Sequence, residues 1–161
     1  MRKGLFGAAM AAVLLAGPAL AQPAPGSVCD FVQGAVIDSA DHFEHLKGGP
    51  ASDPGMFNVK PGFEPKGATC TIDPATTGRM AVICNWIQAD EAAAHTLLTS
   101  LTREVATCLG GARKPRYAAN GVNVIFANGP KYDIAEVGLT KDSLGDWVVF
   151  LFILEDHEML H

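Results

Sequence analysis

The last five residues, His157-Glu158-Met159-Leu160-His161, match H-E-x-x-H, the spacing at which one helix presents two imidazoles to zinc and a glutamate to the attacking water. A catalytic zinc also needs a third protein ligand and a helix held against a scaffold. This segment is instead a chain end that directly follows a strand-like run. His157 and His161 therefore fit weak, adventitious metal binding, and a metal-binding protein or metal-dependent hydrolase is the alternative to the main reading below. No cofactor is expected. A second set, Asp38, Asp41, His42 and His45, places each aspartate four residues before a histidine. Such a set suits a surface metal or proton site, and i to i+4 charge pairing on a solvated helix face accounts for it more simply. His95 lies near the start of a helical run, where a partly buried, hydrogen-bonded imidazole is the ordinary reading. The sequence has no G-x-S-x-G nucleophile context and no phosphate-binding glycine loop. These residues assemble no catalytic constellation, so the expectation is a protein that is not an enzyme.

The four cysteines carry more information. Their number is even, and Cys70 and Cys84 stand at equal distances on either side of Thr77, in a segment that reads as a hairpin. That register also pairs Ile72 with Val82 and Ala68 with Trp86, so the apolar side chains share one face. Cys84 precedes the top of its strand while Cys108 ends a long descending helix, which separates the two by far more than the roughly 7 Å a bridge spans. The expected bridges are Cys29–Cys108 and Cys70–Cys84. With no C-x-x-C pair, they read as structural.

Disulfides imply an oxidising compartment, and the beginning of the chain agrees. Arg2 and Lys3 precede an apolar stretch from Leu5 to Leu15, which is followed by Gly17-Pro18 and Ala19-Leu20-Ala21. This is the layout of a cleavable signal peptide over 1–21, too short to span a bilayer. Cleavage before Gln22 removes two basic residues and none of the 17 acidic ones, leaving ten basic residues and a net charge of −7. A chain of that sign repels nucleic acid and anionic lipid. A periplasmic or secreted protein is expected, with no nucleic acid as partner and no membrane insertion after cleavage.

The elements that must hold these residues follow from periodicity. Residues 22–28 form a flexible lead-in, 29–156 a single domain and 157–161 a tail. Val32, Val36, Ala40 and Phe43 recur at helical spacing over 29–47. The stretch 48–66 carries four prolines and four glycines and reads as one long loop. Strands are expected over 68–72 and 80–87, then a helix over 90–109 capped by Asp90, then strands over 122–127, 132–139 and 147–154. The expected fold is α+β in two layers: a five-stranded antiparallel sheet in the order αββαβββ, with two antiparallel helices on one face and two disulfides. Helix and hairpin followed by helix and hairpin hints at a repeated unit, although the halves share no residue-level similarity.

The last strand, 147–154, is apolar at every position, so its second face must also find cover. The long loop, with Met56, Phe57 and Phe63, is the expected cover and possible partner-binding element. A second molecule is the other candidate, including a homodimer through this C-terminal strand. The leading functional expectation is a non-enzymatic envelope protein, an inhibitor or accessory subunit in type, that binds a protein or another envelope macromolecule.

Overall fold

A computed structural model describes residues 26–74, 78–109, 115–117, 123–127 and 133–155. The signal peptide expected over 1–21, the first part of the lead-in and the tail with His157 and His161 lie outside the described residues. The order of elements is α1 (Val28–Asp38), a short 3-10 turn (Ser39–Asp41), β1 (Lys47–Pro50), β2 (Phe57–Val59), β3 (Thr69–Pro74), β4 (Met80–Gln88), α2 (Glu91–Cys108), β5 (Pro115–Tyr117), β6 (Val124–Ala127), β7 (Asp133–Lys141) and β8 (Trp147–Leu154). All strand pairs are antiparallel. Among the described residues no helix is long and apolar enough to cross a membrane.

The class is as expected: α+β, two helices, an antiparallel sheet and two disulfides. The strand number and order are not. Among the described residues the sheet has eight strands in the order β1-β2-β3-β4-β8-β7-β6-β5. The three strands that periodicity misses are only three or four residues long, Lys47-Gly48-Gly49-Pro50, Phe57-Asn58-Val59 and Pro115-Arg116-Tyr117, and the first and last carry Gly or Pro. Segments this short leave alternation no room to show, and Gly and Pro are depleted in strands. β1 and β5 form the two edges, where a proline that cannot donate to a ladder is tolerated and hinders pairing with another chain. Gly48 is needed for sheet packing, since a Cβ there would stand 2.9 Å from the Asn58 carbonyl oxygen.

Both helices are capped from the side chain preceding them. The Ser27 hydroxyl accepts from Asp30 N at 3.0 Å and the Asp90 carboxylate from Ala93 N at 2.8 Å. The first helix is shorter than its apolar spacing suggests. It stops at Asp38, and after the 3-10 turn His42 and Phe43 take φ of 54° and 60°. Phe43 N donates to Asp38 O at 3.0 Å, closing the helix with a left-handed residue at the position glycine usually fills. The left-handed step sends Phe43 into the core, where it is fully buried. Its sequence spacing matched a helical stripe, but the side chain reaches the core through this turn.

One cluster holds the core. It joins Phe31, Val32 and Ala35 of α1 and Ala94, Leu98, Leu101 and Val105 of α2 to one face of the sheet. Cys70, Ile72, Val82, Cys84, Trp86, Val124, Phe126, Val137, Val149, Leu151 and Ile153 supply that face. Each fully buried aliphatic or aromatic side chain contributes about 1.5–3 kcal/mol. Cys70 stands opposite Cys84 and Ile72 opposite Val82, the register inferred from the sequence. Cys70 is bonded to Cys84, with Cα atoms 4.1 Å apart, and Cys29 to Cys108, with Cα atoms 5.2 Å apart. The second bridge joins the start of α1 to the end of α2. Gln33 Nε2 adds a bond to the Cys108 carbonyl at 3.4 Å.

The hint of repetition becomes concrete here. The strand order reads the same from either edge once β5–β8 are matched to β1–β4. A shift of 67 positions carries Val82 to Val149, Cys84 to Leu151, Trp86 to Ile153, Cys70 to Val137 and Val59 to Phe126, and every one of these residues is buried. It also carries the Cys70–Cys84 pairing onto the Val137–Leu151 pairing. Cys84 faces Leu151 in the β4–β8 ladder, so a pseudo-twofold axis passes between them. What repeats is the alternation of burial rather than residue identity, which is why direct comparison of the halves finds nothing.

Candidate functional site

Alternation along the central strands sends every second side chain away from the helices. On β4 these are Ala81, Ile83, Asn85 and Ile87, and on β8 Val148, Phe150, Phe152 and Leu154. The ladder sets Ile83 opposite Phe152, Asn85 opposite Phe150, and Ile87 opposite Val148. β7 continues the face, with Glu136 opposite Phe152 and Gly138 opposite Phe150. Ile83, Ile87, Phe150, Phe152 and Leu154 stand apart from the core cluster. Phe150, Phe152, Ile83 and Leu154 are half-buried, and Ile87 is 69% exposed.

Gly138 explains how Phe150 lies. A Cβ at this position would come within 2.2 Å of Phe150 Cζ and 2.6 Å of Asn123 Oδ1. The ring therefore lies over the bare backbone of Gly138. Asn123 Nδ2 donates to Glu136 Oε1 at the margin. At the opposite margin Asp73 projects from β3 beside Ala81. Burial raises the Asp73 carboxyl above the usual aspartate range; a hydrogen bond from Thr71 lowers it, and the neighbouring Asp53 raises it again. The face thus has an aliphatic and aromatic centre with carboxylates, Asp73 and Glu136, at its two sides.

The long loop does not cover this face. Instead, 48–66 contributes most of β1 and all of β2, at an edge separated from β8 by β3 and β4. Phe57 belongs to β2, opposite Ile72, and packs against the core, with the Lys47 ammonium 5.2 Å from its ring centroid. Met56 is half-buried, and Phe63 is 52% exposed. The structure does not gather these three residues into one apolar patch. β8 is paired along both edges, by β4 and β7, so only its face is available to a second molecule.

The structure gathers the cluster at the end of α1, with Asp38 buried and Asp41, His42 and His45 exposed. The Asp38 side chain is 6% exposed, and its Oδ1 lies 2.6 Å from His45 Nδ1. It also accepts the backbone N–H groups of His45 (3.3 Å) and Leu46 (3.0 Å). A carboxylate at a helix C-terminus opposes the macrodipole. Here it is held by the N–H groups of the left-handed turn. Asp41 Oδ2 lies 4.0 Å from His45 Nδ1. His42 pairs with the buried Glu155, whose Oε2 accepts from Met80 N at 2.7 Å. His95 is apart from this group, with its ring centroid 6.5 Å from that of Trp147.

Comparison with protein families, curated proteins and solved structures finds no match to this chain. The sequence reading missed Ile83 and Ile87, although they alternate with buried residues on β4. The continuous apolar run of β8 pointed to the same surface.

Proposed function

We propose that this protein is an exported, non-enzymatic binding module that docks a protein partner on the outer face of its sheet. The observation that carries this reading is the row Ile83, Ile87, Phe150, Phe152 and Leu154, which lies on the two central strands and outside the helix-covered core. An apolar centre carried on two central, doubly paired strands suits the desolvated middle of an interface. The carboxylates of Asp73 and Glu136 favour a partner whose apolar surface is rimmed by basic groups. The two disulfides fit an oxidising compartment, and the signal-like beginning of the chain supports a periplasmic or secreted location. An envelope inhibitor or accessory subunit has these properties.

Ile87→Glu tests the reading. The side chain is already largely exposed, so the thermal midpoint is expected to stay within about 2 °C of the parent, since surface changes of this kind stay within about 0.5 kcal/mol. A partner captured by the parent protein is expected to bind the variant at least tenfold more weakly. Equal affinity would remove the outer face as the docking surface. Self-association lost in the same variant would identify the partner as a second copy.

A further inference from the structure

Two groups of potential metal ligands lie far apart in the sequence, in 38–45 and in 157–161. The structure describes the first; the second lies outside the described residues. Glu155, the last described residue, is buried and pairs with His42, one position beyond Asp41. Four of the chain's five histidines belong to these two segments. The fifth, His95, lies on α2 beside Trp147.

From this arrangement we propose that Asp38, Asp41 and His45 form a binding site for one divalent transition-metal ion of the zinc class. Their ligand atoms all lie within 4.8 Å of one another. Two donors on one zinc, each bonded at about 2.0–2.2 Å, stand about 3.5 Å apart in tetrahedral geometry. The distances from His45 Nδ1, 2.6 Å to Asp38 and 4.0 Å to Asp41, bracket that value. Asp38 is fixed by the two backbone N–H groups it accepts, while His45 and Asp41 are exposed and free to adjust. Mixed imidazole and carboxylate donors favour zinc, nickel or copper over calcium or magnesium, which prefer oxygen alone. The H-E-x-x-H at 157–161 is a separate candidate in the sequence. It lies outside the described residues and is not among the three ligands. The site is separate from the outer sheet face and stands or falls independently of the docking proposal.

The experiment is titration of the purified chain, without an added histidine tag, with Zn²⁺ alone, read by calorimetry. One equivalent is expected to bind. His45→Gln and Asp41→Asn, at exposed positions that leave the Asp38 bonds to the turn intact, are each expected to weaken binding at least tenfold. His95→Gln is expected to change nothing. Loss on His45→Gln supports the site whether or not deletion of 157–161 also weakens it. Zinc binding that His45→Gln leaves unchanged, binding that disappears only with the tail, or no binding at all would overturn the proposal.

Discussion

Replacing Cys29 and Cys108 together by alanine is expected to lower the thermal midpoint further than replacing Cys70 and Cys84. The two bridges close loops of very different size, with sequence separations of 79 and 14. In the chain-entropy account the longer loop contributes about 4–5 kcal/mol and the shorter about 3. For a domain of this size these correspond to roughly 15 °C and roughly 10 °C. The surroundings act in the same direction. Cys70 and Cys84 lie inside a ladder of six paired positions that holds β3 to β4 without them. Cys29 and Cys108 tie together two helices joined otherwise by packing and the Gln33 bond. Paired melts of the two double variants, followed by circular dichroism, check this, and the reverse order would contradict it.

Asp38→Ala is expected to cost about 3 kcal/mol, because it strips the acceptor from two backbone N–H groups of a partly buried turn. The loss is concentrated where the chain is least able to absorb it. His42 and Phe43 sit in left-handed conformations that L-residues adopt at a cost of about 1–2 kcal/mol each. Phe43 can occupy the core only while that turn is held. Asp38→Asn keeps one acceptor oxygen and is expected to lose less than half as much. Urea denaturation of the parent and both variants separates the cases. An alanine variant as stable as the parent would show that the turn is maintained by Phe43 burial alone.

Periodicity and spacing were sufficient for the parts of this fold that bury a regular stripe. The second helix, the β3–β4 register through Cys70 and Cys84, the long strands β7 and β8, and both disulfide pairings follow from them. The edge strands β1 and β5 are hidden because they are three or four residues long and carry Gly or Pro, so no alternation marks them. The first helix was overextended because Phe43 keeps helical spacing while reaching the core through a left-handed turn, a conformation that residue type does not announce at His42. The outer face was half visible. β8 announced two apolar sides, but the sequence assigned its cover to Met56, Phe57 and Phe63, since nothing in 48–66 shows that the segment pairs at the far edge. The repetition was obscured because only burial repeats, as where Cys84 matches Leu151 and Trp86 matches Ile153.

The central claim, that the partner sits on the outer face of the sheet, is tested most directly by hydroxyl-radical footprinting of single side chains in the free and partner-bound protein. Ile87, Phe150 and Phe152 are expected to be oxidised in the free protein and protected at least severalfold in the complex, with Phe63 and Leu144, exposed elsewhere, unchanged. Protection at Phe63 with no change at Ile87, Phe150 and Phe152 would contradict the account and return the binding function to the segment 56–63.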